Sequence, residues 1–195
     1  MKIYDISKEI FSTPVYPGDT VPTYLRAASY DAGDIYSLTD INICAHSATH
    51  ADAPYHFIKD GKTIDETDLH AYVGVCRVVS AEEGFFTSET ARKVLAETDA
   101  RMLIRGGILT ADGADELIRR GVRLVGCEGE SISDPDAPMA VHKQLLSHEI
   151  AIVEGLDLSG VPDGEFFLAA QPIKLGGSDG APCRAILIEG IIETK

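Results

Sequence analysis

The chain has no tryptophan, few cations and no long apolar run. Lys and Arg number 17 against 31 Asp and Glu, a net charge of −14 over 195 residues. Non-specific nucleic-acid binding needs cationic side chains to displace counterions, so this balance excludes that class. No apolar stretch approaches the roughly 20 residues that a membrane helix needs, so no membrane association is expected. Met1-Lys2-Ile3-Tyr4-Asp5 turns acidic at once, unlike a secretory signal, and a cytoplasmic location is expected. Cys44, Cys76, Cys127 and Cys183 are scattered, with neither Cys-x-x-Cys spacing nor a disulfide framework. Buried free thiols are the expectation for them. Repeats and low-complexity linkers are also missing, so residues 1–195 read as one domain, long enough for a substantial core.

What the chain does have is a dense cluster: His46-Ser47-Ala48-Thr49-His50-Ala51-Asp52-Ala53-Pro54-Tyr55-His56. Three of the six histidines and an aspartate fall within eleven residues. Imidazole and carboxylate hold Zn²⁺, Mn²⁺ or Fe²⁺ in catalytic sites. On a straight strand, His46 and His50 would lie about 13 Å apart at ~3.3 Å per residue. Two ligands of one ion, each ~2 Å from it, cannot be so distant. If both bind one metal, the chain must bend between them, and Ser47, Ala48 and Thr49 are small enough to allow it. Pro54 opposes a helix across the second half of the motif. A strand running into a tight, irregular loop is therefore expected.

Met1–Ile6 and Ile35–Cys44 read as strands, the second leading into the histidine motif. A βαβαβ run follows: strand Val73–Val79, helix Ser88–Ala96 capped by Thr87, strand Met102–Arg105, helix Ala114–Arg120 ended by Gly121, strand Val122–Gly126. Such a run implies right-handed crossovers and parallel pairing. Helix Met139–His148 carries His142, and the strand Ile150–Val153 delivers Glu154 at its carboxyl end. A carboxylate there is either a solvated turn residue or a charge that needs a partner. Phe166–Ala170 and Arg184–Ile188 are further strands. Asp134-Pro135-Asp136-Ala137-Pro138 reads as a rigid exposed loop, and His70 and His148 as surface or packing residues.

The histidine segment resembles the signature of the cyclase family of metal-dependent hydrolases, His-x-Gly-Thr-His-x-Asp-x-Pro-x-His, with Ala48 in place of the glycine. This family includes bacterial kynurenine formamidase and isatin hydrolase. Tyr16-Pro17-Gly18-Asp19 is similar to its N-terminal Trp-Pro-Gly-Asp, and Ile150–Leu156 to its Ile-x-Ile-Leu-Glu-Gly-Leu. Gly177, Asp179, Ala181, Pro182 and Arg184 follow a family-like pattern near the C-terminus. A positive φ at the glycine position would strain Ala48 by about 1–2 kcal/mol.

The resemblance implies an α/β fold with a mixed sheet, of the swivelling β/β/α type, and a homo-oligomer, dimer or tetramer. It implies two divalent metal ions, with Zn²⁺ ahead of Mn²⁺. His46, His50 and Asp52 would hold the first, and His142 would complete the second. Asp52 and Glu154 would bridge. His56 would transfer protons. Tyr16, where the formamidase has a tryptophan, would contact the small-molecule substrate with a smaller face and a hydroxyl. The activity implied is hydrolysis of an amide, an aryl formamide or cyclic amide, by metal-activated water. Lactone or ester hydrolysis on the same site, or non-catalytic binding of a metal or ligand, are the alternatives.

Overall fold

The computed structural model describes residues 1–134 and 137–190. Its strands and helices follow in order as β1 (Lys2–Asp5), β2 (Thr23–Ala28), β3 (Leu38–Asn42), β4 (His50–Asp52), α1 (Leu69–Tyr72), β5 (Val73–Ser80), β6 (Phe85–Phe86) and α2 (Ser88–Val94). Then come β7 (Arg101–Arg105), β8 (Ile108–Leu109), α3 (Ala111–Arg120), β9 (Leu124–Cys127), α4 (Pro138–Leu146), β10 (Ala151–Glu154), β11 (Gly164–Ala169), β12 (Gly180–Pro182) and β13 (Ile186–Glu189).

Among the described residues, nine strands form one sheet in the order β1-β13-β11-β5-β7-β9-β10-β4-β12. The expected βαβαβ run supplies its parallel centre, with β5, β7, β9 and β10 pairing parallel in that order. β9 and β10 are buried on both faces, which is why they read as continuous apolar runs. The flanking pairs are antiparallel. Local chemistry sets the helix ends. Thr87 and Thr110 accept hydrogen bonds from the amides of Thr90 and Gly113, and Gly121 closes α3 with φ +71°.

Alternation along the central strands builds two cores. Met102, Ile104, Val125 and Ile152 face one way and pack with Ala91, Leu117 and Leu145 of the three helices. Leu103, Leu124, Ala151 and Val153 face the other way, onto Phe166, Leu187 and Tyr72. Because this second core draws on β11 and β13 of the same sheet, the sheet curls over it. The result is the mixed α/β architecture expected.

The structure departs from the sequence reading in several places. The strand expected over Ile35–Cys44 is shorter, Leu38–Asn42, and pairs with β2 in a separate hairpin instead of entering the main sheet. Cys76, Cys127 and Cys183 are buried free thiols, but Cys44 is only half-buried. Pro54 does not exclude helical geometry altogether: it opens one 3₁₀ turn, Pro54–His56, where its missing amide costs nothing. Of the loop at 134–138, Asp134 and Ala137 are exposed as expected, while Pro135 and Asp136 lie outside the described residues. His70 and His148 are exposed, as expected.

Candidate metal centre

The period of two residues in a strand brings the site together. In β4, His50 and Asp52 share a face while Ala51 points into the opposite core. On the neighbouring β10, Glu154 shares the face of Ile152, which packs toward the helices. The antiparallel register sets Glu154 opposite His50 and Ile152 opposite Asp52. Helix α4 covers this face and supplies His142, so four polar side chains meet where an apolar core would otherwise continue.

The expected bend precedes β4. Ala48 has φ +54°, a left-handed conformation, and the His46 and His50 rings stand 5.0 Å apart instead of a straight strand's spacing. The bend is held from outside: Thr49 Oγ1 donates to the Gly155 carbonyl at 2.6 Å and accepts from the Lys8 amide at 2.8 Å. His50 Nδ1 donates to the Ala48 carbonyl at 3.0 Å, so Nε2 faces the carboxylates.

Asp52 is the centre. Its Oδ1 lies 2.9 Å from His46 Nδ1 and 3.4 Å from His50 Nε2, and its Oδ2 is 3.6 Å from His142 Nε2. Glu154 Oε2 is 3.5 Å from His50 Nε2, and Oε1 is 2.9 Å from His142 Nε2 while accepting the Ile132 amide at 2.7 Å. Asp52 is 1 % exposed, and among the described residues its Oδ2 has no hydrogen-bond partner. Such an orphaned carboxylate oxygen, with the His142 ring nitrogen beside it and those of His46 and His50 at the sister oxygen, fits a divalent metal ion.

Electrostatics agree. Burial disfavours charge on Asp52, but hydrogen bonds with His46 and His50 outweigh it and hold the carboxyl well below the usual range. Burial likewise opposes charge on His50, yet Asp52 and Glu154 raise its pKa to about 10. His46 is raised in the same way, against burial, by Asp52 and Asp179.

His56, at the end of the 3₁₀ turn, lies with its ring 4.1 Å from that of His46. Its ring nitrogen, a ring nitrogen of His46 and a carboxylate oxygen of Asp52 form a group of potential ligand atoms within 4.8 Å of one another. Tyr16 sits at a turn whose Gly18 has φ +102°, and reaches the same cavity as His46, His50 and His56. That cavity, about 330 Å³, is lined by Tyr16, Phe57, Met139 and Lys8 besides the histidines.

All seven residues singled out from the sequence therefore meet at one place. Asp179 was noted there only as part of a pattern, without a role. It stands on the loop before β12, its Oδ2 at 3.1 Å from His46 Nε2 and 3.2 Å from His56 Nδ1. A lone aspartate in a Gly/Ser loop carries no periodic signal, and its partners are 123 and 133 residues away.

The Cyclase family's sequence profile matches residues 4–134. The chain is 32% identical to a kynurenine formamidase of Erythrobacter litoralis (strain HTCC2594), over 96% of this chain and 94% of that protein. It is 34% identical to a kynurenine formamidase of Maricaulis maris (strain MCS10), over 96% and 98%. Among solved structures, a predicted metal-dependent hydrolase from Bacillus stearothermophilus superposes with a TM-score of 0.80 at 28% identity, covering 95% of this chain and 97% of that one. Isatin hydrolase A from Labrenzia aggregata superposes with a TM-score of 0.85 over 97% and 94%, and at 22% identity that likeness speaks for the fold alone. With the histidine signature, the curled mixed sheet and the match over two thirds of its length, the chain belongs to the cyclase family.

Proposed function

We propose that this protein is a metal-dependent hydrolase that cleaves the C–N bond of a small aryl formamide or cyclic amide. The observation that carries the reading is Asp52: a buried carboxylate with one orphaned oxygen, within 3.6 Å of ring nitrogens of three histidines. The setting favours catalysis over storage. A structural site is closed by protein ligands, whereas here a cavity opens onto His46, His50 and His56.

In this reading His46, His50 and Asp52 would hold one divalent ion and His142 would help hold a second, with Asp52 and Glu154 available to both. Zn²⁺, and after it Mn²⁺, suits such imidazole and carboxylate donors. When bound, the ions supply Lewis acidity toward a carbonyl oxygen and lower the pKa of water. The chain's own residues do the rest. His56 accepts the proton of the attacking water as the new C–O bond forms, and returns it to the nitrogen as the C–N bond breaks. The products are an amine and a carboxylic acid, which ionises to the carboxylate by releasing water's second proton to solvent. Tyr16 and Phe57 offer flat apolar faces to an aromatic ring, in a cavity of a size that suits a small molecule.

The resemblance of the whole chain to two kynurenine formamidases supports an aryl formamide over a lactone. Turnover of a panel of formanilides, cyclic amides and lactones, by metal-loaded and chelator-stripped protein, tests it. Amide hydrolysis that vanishes on stripping is expected. Hydrolysis of lactones alone would move the reading to ester chemistry, and no turnover at all would end it.

Assembly with further copies of the chain, as a dimer or tetramer, belongs to the same reading. Every residue of β3 and all of β2 but Ala28 is exposed, so this two-stranded ribbon has no core of its own. Such a ribbon is marginal alone. It also carries Tyr24, Leu25, Leu38 and Ile41, each about half exposed or more, and Ile35 at 90%. Apolar surface of this extent marks an interaction site. A reducing, cytoplasmic location fits the four cysteines, all free. Among the described residues, no helix is long and apolar enough to cross a membrane.

A further inference from the structure

The geometry points to Asp179 as a positioning residue that fixes the ring tautomers of His46 and His56 together. This rests on the hydrolase reading for its consequence in turnover, but not for its structural content. One oxygen, Asp179 Oδ2, contacts His46 Nε2 at 3.1 Å and His56 Nδ1 at 3.2 Å. An ionised carboxylate only accepts hydrogen bonds, so both of those nitrogens must carry a proton. His46 Nδ1 in turn donates to Asp52 Oδ1, and the proton a metal would displace from His46 is this one; in neutral His56 the lone pair falls on Nε2.

Those two atoms have different work. His46 Nδ1 faces Asp52 Oδ1 at 2.9 Å, on the side where the ligand atoms converge. His56 Nε2 becomes the only nitrogen of that ring able to accept a proton. A single carboxylate thus gives one ring its ligand atom and the other its basic atom. The opposite tautomers would place a proton at the ligand position of His46 and spend the basic position of His56. Once His56 has taken a proton, Nδ1–H still donates to Asp179.

The carboxylate is built to hold this place. The Asp179 carbonyl accepts the Ala53 amide at 2.9 Å, and the preceding Ser178 carbonyl accepts the Ile64 amide at 2.8 Å. The next residue, Gly180, pairs with Asp52 in the sheet. A Cβ on Gly180 would lie 2.7 Å from His46 Cε1, so glycine is what lets the ring rest against this strand. The His46 and His56 rings are tilted by only 32° with centroids 4.1 Å apart, which brings their edges to one acceptor.

The test is ring-nitrogen NMR on ¹⁵N-labelled full-length protein, metal-free and zinc-loaded, at a pH where the His56 ring is neutral. His56 signals are assigned by their loss in His56→Gln. The expected pattern has His56 protonated at Nδ1 with Nε2 bare, and His46 protonated at Nε2 in both forms, with its Nδ1 bare only in the zinc-loaded protein. In Asp179→Ala, His56 should drift toward the Nε2–H form, while kcat falls about 10- to 100-fold with KM little changed. Asp179→Asn, nearly isosteric, serves if the alanine variant folds poorly. A proton on His56 Nε2 in the parent protein would overturn the inference, and so would an Asp179→Ala protein with the parent tautomer. If no amide is hydrolysed by any form, the hydrolase reading fails, while the tautomer pattern still decides the role of Asp179.

Discussion

Gly155 presses its backbone against Ala48 so closely that a Cβ on it would stand 2.1 Å from the Ala48 carbonyl oxygen. That carbonyl orients His50, and Gly155 follows Glu154 directly, so the approach couples two halves of the site across more than a hundred residues. Gly155 also has φ +68°, where a side chain costs about 1–2 kcal/mol even without a clash. Gly155→Ala should therefore destabilise by at least that amount in urea unfolding and weaken metal binding. Unchanged stability and metal content would contradict the coupling.

Ala48 gives the converse test. It holds φ +54° without glycine's freedom. Ala48→Gly relieves about 1–2 kcal/mol of strain and gives back roughly 0.4–1 kcal/mol through the freer unfolded chain. A net gain between zero and about 1.6 kcal/mol in denaturant unfolding is expected. A loss would mean that the bend carries no strain.

His56 is expected to move protons, although its nitrogen also lies within ligand distance of His46 and Asp52. His56→Ala should keep the parent metal content and lower kcat about 10²–10⁴-fold. Lost metal would make His56 a ligand instead. Asp52→Ala should lose metal outright, and His142→Ala should retain only part of it.

The pH dependence has a definite sign. In the metal-free protein the pKa of His50 is raised from 6.5 to about 10, so the stability from its ion pairs is complete below pH 6.5 and is lost as pH rises through 10. Asp52 is depressed from 3.8, so its share is present above that value and is lost as pH falls further. Metal-free protein should be most stable between these limits. Metal binding requires neutral histidines and displaces their protons, so affinity should rise with pH. The gap in Tm between metal-loaded and metal-free protein should widen from pH 6 to pH 9, by scanning calorimetry. A gap that narrows would remove histidine ligation from the account.

The hairpin prediction is independent of the chemistry. Tyr24→Asp combined with Ile41→Asp, two positions opposite each other on one face of the ribbon, should shift a dimer or tetramer toward monomer in sedimentation velocity. A parent protein that is already monomeric would contradict assembly through this surface.

Much of this site was legible because its chemistry is local. His46, His50, Asp52 and His56 sit within eleven residues, and the need for a bend follows from strand geometry alone. Glu154 stood out as a carboxylate ending an apolar run, and the parallel strands stood out because burial on both faces leaves uniformly apolar segments. His142 was legible only through the family resemblance, since nothing in its helix marks one histidine as facing the sheet. Asp179 and the pairing of β4 with β12 depend on contacts between distant segments of three residues each, too short for any period to register. The hairpin was half seen: Leu38–Asn42 reads as a strand, but no alternation in Thr23–Ala28 announces its partner, because neither face is buried within one chain.

Elemental analysis of untagged protein, purified without chelator and reloaded with Zn²⁺ or Mn²⁺, tests the central claim most directly. The account predicts about two divalent ions per chain, the number a shared Asp52–Glu154 centre holds in this reading. No bound metal after reloading would contradict it.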